Sequence, residues 1–298
     1  MTGIICINKE KDITSFGVCA KMRGILKEKK VGHTGTLDPM ATGVLPVMIG
    51  GATRFLDYLP ESDKGYRASF VLGKTTDTLD ITGTVTSESR VNVSKADVEN
   101  VLTEFHGKIK QLPPMYSAVS VNGKRLYDLA RQGIEVERQE REIEIKELSL
   151  VHSNESANEY VIDVFCTKGT YIRTLIDDIG KRLGCGAVMT ALERTYAMGF
   201  TLNDCKTLSE LQQLKDSGIG FDSVLLPLDK ALGIYDSVVI SPAQAVRFRN
   251  GGALDLSRVK KQLQADAFYR VYSPEKELLG LGRAEDTQLK VQKLLVNR

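Results

Sequence analysis

The sequence predicts an α+β fold in two parts, a large mixed body and a small β-rich tail. Three observations carry this. At 298 residues the chain is longer than a typical single domain. Both strand and helix periodicities occur in its first 236 residues. From Ser237 onward, short apolar runs such as "YRVY" and "ELLGLG" are separated by turn residues, the pattern of short strands. With 42% hydrophobic and 26% charged residues, the composition is that of an ordinary soluble globular protein with a sizeable core.

In chain order, "SFGVCAKMRGILKEKK" places Val18, Met22, Ile25 and Leu26 at helical spacing behind Ser15, read as the N-cap. The other face of this segment carries Lys21, Arg23, Lys27, Lys29 and Lys30, which as a bare pattern is a solvated surface. Residues 43–59 begin as a buried apolar run and turn helical. Residues 65–76 alternate Tyr66, Ala68, Phe70 and Leu72 against Arg67, Ser69 and Val71, a strand period. Ser94 followed by Asp97 opens an amphipathic helix with Val98, Val101, Leu102 and Phe105 on one side. Residues 116–153 predict a strand, an Asn122-Gly123 turn, a short helix over Leu126–Ala130, a charged stretch, and a strand from Ile143. Residues 159–184 predict a strand, an interruption at Gly169 and a helix ended by Gly184, and 225–232 reads as a connector. No repeat and no low-complexity tract is present.

Several function classes fall away on composition. No apolar run approaches the roughly 20 residues that span a bilayer. The opening run Ile4–Ile7 is too short for a signal segment, so the expected compartment is the cytoplasm. Cys6, Cys19, Cys166, Cys185 and Cys205 are scattered without a CxxC pair, which argues against a disulfide framework. His33, His106 and His152 lack ligand-like spacing, which argues against bound zinc. The net charge is only +2, but the last 62 residues hold 11 Lys and Arg against six Asp and Glu. A basic tail on a near-neutral body suits RNA contact, although solvated lysines give the same count.

The densest cluster of Gly and Thr is "KKVGHTGTLDPMATGVLPVMIGGATRF", residues 29–55. Asp38 precedes Pro39, which disfavours helix, and Gly32 and Gly35 allow tight paths around His33. Asp-Pro alone is a common turn, and a lone histidine is more often a hydrogen bonder than a catalyst. A single carboxylate can also be a covalent nucleophile or general base when a cation keeps it ionised. The stretch matches no Ser–His–Asp triad, GxxxxGK[ST] phosphate loop or zinc deaminase pattern. On its own it leaves a turn and a reactive loop both open.

"GHTGTLDPMATGVLPVMIGGATR" closely resembles the active-site motif of the bacterial TruB-type tRNA pseudouridine-55 synthases. "DKGYRASFVLGKTTDTLDITG" (63–83), "PPMYSAVSVNGKRLYDLARQG" (113–133) and "KGTYIRTLIDDIGKRLGCGA" (168–187) resemble that family's later blocks in order, and "GLGRAE" lies in a tail resembling its RNA-binding PUA domain. The resemblance covers nearly the whole chain. It implies a catalytic domain over 1–236 built on a mixed, mainly antiparallel sheet with flanking helices, and a PUA-like domain over 237–298. It further implies isomerisation of uridine 55 in the tRNA T-arm, without cofactor or required metal, by a monomer whose tail meets the acceptor end.

Carried over residue by residue, Asp38 becomes the nucleophile, at the base ring, at the ribose anomeric carbon, or as a base leading to a glycal. The target base must first be flipped out. His33 resembles the residue that fills the vacated stack, and Tyr66 the tyrosine that stacks on the flipped base and assists proton removal from carbon 5. Tyr171 resembles a pocket-wall tyrosine and Leu192 a pocket leucine, and Asp80 sits at a polar loop position near substrate. Arg173 resembles the arginine paired with the nucleophile. In an extended "KGTYIRT" it would share a face with Tyr171 and would lower the Asp38 pKa by roughly 1–3 units. The insertion at about 120–142, with Lys124, Arg125, Arg131, Arg138 and Arg141, resembles an RNA-gripping element, and Lys21, Lys29 and Lys30 adjoin the catalytic loop. The chain departs from the family at "NKEKDITS", where Glu10 stands for a proline and Asp12 for a glycine, predicting a less rigid turn. The competing expectations are a non-catalytic RNA-binding or RNA-folding protein and a glycosylase, the latter needing a second carboxylate and a placed water.

Overall fold

A computed structural model describes residues 1–60, 63–117, 119–121 and 123–295. Its body is a nine-stranded sheet, and the α+β architecture follows from what covers each face. Along the sheet the strands run Gly3–Lys9, Thr42–Ile49, Ala187–Ala197, Lys64–Leu72, Glu159–Cys166, Arg141–Asn154 and Gly107–Gln111. Val31–His33 and Phe200–Thr201 pair beside this path. All neighbours are antiparallel except Thr42–Ile49 with Ala187–Ala197. At that parallel junction Gly43 faces Arg194, with φ +100°, and a Cβ there would lie 2.3 Å from the Arg194 carbonyl oxygen. Only glycine fits.

The alternation over 65–72 is realised: Tyr66, Ala68, Phe70 and Leu72 are buried. They pack with the helices Lys95–Glu104 and Ile172–Arg182 in one cluster that includes Val98, Leu102, Leu175, Ile176 and Ile179. The Ser94–Asp97 capping box opens the first of these helices as expected. At the other end of the sheet the helix Ser15–Leu26 buries Val18, Met22, Ile25 and Leu26 against Ile5, Ile7, Leu45 and Val47. Its N-cap is Thr14, whose side chain accepts from Gly17 N–H, and not Ser15. The helix stops at Leu26 with Lys27 left-handed, so Lys29 and Lys30 lie beyond it.

The strand expected from Ile143 begins two residues earlier, at Arg141. The short helix Leu126–Ala130 is present, and the pair Ser120–Val121 with Lys124–Arg125 flanks the expected Asn-Gly turn, whose Asn122 lies outside the described residues. The 225–232 segment contains a short helix, Leu228–Ala231, and Leu226 bridges Ile4. The tail forms its own five-stranded sheet, Asp236–Val239, Phe268–Tyr272, Leu278–Glu285, Gln288–Leu294 and Leu254–Asp255, over a core of Val238, Phe248, Val271 and Leu289. It meets the body through Tyr58, Phe268 and Tyr235, and the Tyr235 hydroxyl donates to Tyr58 O at 2.7 Å. Among the described residues no helix is long and apolar enough to cross a membrane.

Candidate active site

The loop between Val31–His33 and Thr42–Ile49 is held from three sides. Ser15, freed from capping, accepts from Leu37 N–H at 2.8 Å and donates to Leu37 O at 3.2 Å. Asp12 N–H donates to Pro39 O at 2.8 Å, and the Lys9 ammonium reaches the same oxygen at 3.1 Å. Arg194, 1% exposed, donates to Val44 O at 2.7 Å, Gly35 O at 3.3 Å and Thr36 O at 3.5 Å. Asp12 itself has φ +65°, the left-handed conformation that a glycine adopts without strain. The departure from the family pattern thus leaves a defined turn that still ties down Pro39.

Asp38 projects from this loop, and the Arg173 Nε meets its Oδ2 at 3.0 Å. Arg173 is 6% exposed and spends its remaining nitrogens on Tyr116 O at 2.8 Å, Thr78 O at 3.0 Å and Asp80 Oδ2 at 3.5 Å. Asp80 is in turn satisfied by Thr78, by Thr82 Oγ1 and by Thr82 N–H. One guanidinium therefore joins two carboxylates and three loops. The extended path expected for 168–174 is not observed. Tyr171 caps the helix Ile172–Arg182 and Arg173 lies in its first turn, so the two side chains are placed by a helix start and not by strand alternation. Nor is the Asp38 carboxyl lowered. Burial raises it, Arg173 pulls it back, Asp80 pushes it up and Lys9 pulls it down, with a net shift upward. Desolvation outweighs the ion pair here.

Asp38, Arg173, Tyr66, Tyr171 and Leu192 line one cavity of about 220 Å³, together with Thr36, Lys64, Ser117 and Thr170. Tyr66 is held against Arg194 and, being buried, is pushed up to about 12, so it is a neutral phenol near neutral pH. Gln111 braces Tyr171 at both backbone groups, accepting from Tyr171 N–H at 2.7 Å and donating to its carbonyl at 3.1 Å. Ser117 Oγ is buried without a hydrogen-bond partner.

Two predicted positions lie off the cavity wall. Asp80 stands behind Arg173. His33 is half-buried on its short strand opposite Val47, with burial and Arg194 lowering its pKa and Nδ1 lacking a partner. The basic candidates Lys21, Lys29, Lys30, Lys124, Arg125, Arg131 and Arg141 are exposed. Arg131 stacks on Tyr127, and Arg138 is tied back to Pro113 O at 3.1 Å and to Glu135.

Sequence reasoning missed Lys9, Lys64, Gln111, Ser117 and Arg194. A signal existed for two of them. Lys64 continues the buried-face period of Tyr66 and Ala68, and Arg194 that of Leu192, with Arg194 opposite Tyr66 in register.

The residues whose motifs resemble those of the pseudouridylate synthases, Asp38, Tyr66, Tyr171, Arg173 and Leu192, meet at one cavity beside the mixed sheet. Over 99% of its length the chain superposes with a TM-score of 0.76 and 27% identity on 85% of a chain in the crystal structure of a Cbf5–Nop10–Gar1 complex. It superposes at 0.74 and 25% identity on 86% of a chain from an H/ACA RNP bound to a substrate RNA containing 2′-deoxyuridine. Residues 23–172 match the TruB family pseudouridylate synthase N-terminal domain, 173–233 the tRNA pseudouridylate synthase B C-terminal domain, and 237–295 the C-terminal domain of pseudouridine synthase II TruB. Relatives called tRNA pseudouridine synthase B share 43% identity in Clostridium kluyveri, over 99% of this chain and 100% of the relative, and 42% in Clostridium perfringens, over 99% of each. The chain belongs to the TruB family of pseudouridylate synthases.

Proposed function

We propose that the protein isomerises uridine to pseudouridine at position 55 in the T-arm loop of tRNA, with the target base flipped into the cavity and Asp38 as nucleophile. The observation that carries this reading is the Asp38–Arg173 pair, 3.0 Å apart, facing a cavity walled by Tyr66, Tyr171 and Leu192. The reaction is atom-neutral: the N1–C1′ bond breaks, C5 bonds to C1′, and the C5 proton is lost while N1 gains one. Each of the three routes open to Asp38 begins from its carboxylate. Flipping costs a few kcal/mol, recovered by enclosing the base between apolar and aromatic walls. His33, on the strand leading into the loop, takes the vacated stack. Tyr66, a neutral phenol, stacks on the base and assists proton removal at C5 only if its own proton is accepted in turn.

A glycosylase would need a second carboxylate to activate water. Asp80, the carboxylate behind Arg173, is 4% exposed and already engaged by Thr78, Thr82 and Arg173. That favours rearrangement over hydrolysis. We assign residues 1–236 to catalysis and 237–298 to a PUA-like unit that contacts the acceptor end, with the 120–142 insertion and Lys21, Lys29 and Lys30 gripping the RNA backbone. The enzyme acts as a monomer, and in the cytoplasm, the compartment that five unpaired cysteines suit.

Incubation with unmodified tRNA followed by pseudouridine mapping tests the proposal. Wild type should modify position 55, and Asp38→Asn should lose on the order of 10⁴-fold or more in rate while still binding RNA. Activity kept by the variant would overturn the nucleophile, and free uracil would move the protein to the glycosylases.

A further inference from the structure

Two cations that line the cavity are treated differently. Arg173, beside Asp38, has two carboxylates. Lys64 has none among the described residues. Its strand places it two residues from Tyr66, on the same face, and its side chain lines the cavity. Among the described residues no hydrogen bond or ion pair reaches its ammonium.

Its charged neighbours are cations. A Cβ built on Gly35 would lie 3.7 Å from both the Lys64 ammonium and a terminal nitrogen of Arg194, so the two positive groups flank the same glycine of the catalytic loop. Arg194 is committed to backbone carbonyls of that loop and to Tyr66. Lys168, two residues before Thr170, also lowers the Lys64 pKa and is itself engaged by another group. Cys166, which acts on Lys64 in the other direction, is a neutral thiol pushed up to about 11, and its Sγ donates to the Lys64 backbone carbonyl.

A half-buried ammonium set among cations is unfavourable unless an anion completes it. Burial first, and then Arg194, bring Lys64 down to about 8, which leaves it mostly protonated at neutral pH. The permanent anions that a flipped nucleotide brings to such a rim are its backbone phosphates. We propose that Lys64 anchors one of the two phosphates flanking the target uridine, fixing the nucleotide's backbone in the cavity that Asp38 also lines. This rests on the reading of the protein as an RNA-modifying enzyme and adds a positioning contact to it. Phosphate binding explains why the lysine keeps its charge in a place where methionine of similar length would fit at no electrostatic cost.

The test is a double-substitution cycle in binding. The protein is used as wild type, Lys64→Met and Lys64→Arg, each also carrying Asp38→Asn. The RNA is a hairpin with the target uridine in its loop, either unmodified or with one neutral methylphosphonate 5′ or 3′ of that uridine. Neutralising one of the two phosphates should weaken binding by Lys64-containing protein roughly tenfold, and Lys64→Met should not respond to that same substitution. Lys64→Met should also reduce the slope of log affinity against log salt by about 0.7–1, and Lys64→Arg should restore it. Equal responses of Lys64→Met and the Lys64-containing protein at both phosphates would overturn the assignment. So would an unchanged salt slope, or a melting temperature lowered in Lys64→Met, since removing an uncompensated buried cation should leave the fold as stable or more so. Wild type that forms no pseudouridine would sink the proposed function while leaving the binding cycle readable. Product formed without phosphate coupling would sink only the Lys64 contact.

Discussion

The cavity and the 120–142 protrusion are both presented to solvent, yet they are built in opposite ways. Around Asp38, Ser15 and two buried arginines are matched to named acceptors: Ser15 to Leu37, Arg194 to Gly35, Thr36 and Val44, Arg173 to Asp38, Asp80, Thr78 and Tyr116. Among its described residues the protrusion buries only Leu126 and Leu129, leaves Tyr127 and Ile134 exposed, and runs without regular structure from 134 to 140. The chemistry sits on elements whose positions are over-determined. The proposed RNA grip sits on a segment with little buried apolar surface among its described residues, where reshaping on binding costs little.

The largest break in this contrast is Arg173→Leu. It leaves Asp38 and the buried Asp80 without their shared cation, and unfolding in denaturant should show a loss of about 3–5 kcal/mol. The pH dependence has a definite sign. Arg173 lowers the Asp38 pKa against the rise imposed by burial, so its removal raises that pKa further. A reaction needing the carboxylate is then lost at a higher pH as the solution is acidified, and the acid limb of the pH–rate profile moves up. An acid limb that stays put would show that Arg173 does not control the ionisation of Asp38.

The protrusion should answer differently. Lys124→Gln with Arg131→Gln should change unfolding free energy by less than about 0.5 kcal/mol. The salt slope for RNA binding should fall by about 1 for each charge that contacts phosphate. A large stability loss with an unchanged slope would reverse the comparison. The smallest effect is expected at the turn that ties the catalytic loop to the first strand. In Asp12→Gly, relief of left-handed strain, about 1 kcal/mol or less for Asp, opposes the added freedom of the unfolded chain. The unfolding midpoint should correspond to a change within about 0.5 kcal/mol. A greater loss would show that the Asp12 carboxylate stabilises the buried Lys9, whose pKa it raises.

What was legible in the sequence was local. The Ser94–Asp97 capping box and the alternation from Tyr66 to Leu72 state their structure in neighbouring residues, and both formed. Thr14 and Ser15 are chemically equivalent as caps, and the choice between them was made at a distance, by Leu37 recruiting the serine hydroxyl. "KGTYIRT" reads as extended because Gly and Thr interrupt a helix period. The helix expected between Gly169 and Gly184 forms as Ile172–Arg182, and burial of Ile172, Leu175 and Ile176 places Arg173 in its first turn. The motif resemblance identified Asp38, Tyr66, Tyr171, Arg173 and Leu192, and the fold brings these five to one cavity. Lys9, Lys64 and Arg194 escaped because a charge beside an apolar strand reads as its solvent edge. Only the assembled sheet shows them turned inward, and the net direction of the Asp38 pKa likewise depends on burial that no pattern of neighbours encodes.

The parallel junction at Gly43 has a consequence for how this site can vary. At Gly43 the strand that carries Leu192 and Arg194 meets the strand that follows the catalytic loop main chain to main chain, with no Cβ as a spacer, and the Arg194 side chain pins the same seam at Val44 O. A cavity bounded by side chains can be widened or narrowed by exchanging them, and Leu192 and Thr170 offer that freedom. The seam beneath offers none. Its separation is a main-chain contact distance, so the depth from loop to strand is inherited with the topology, and adaptation to a new nucleotide is left to the rim.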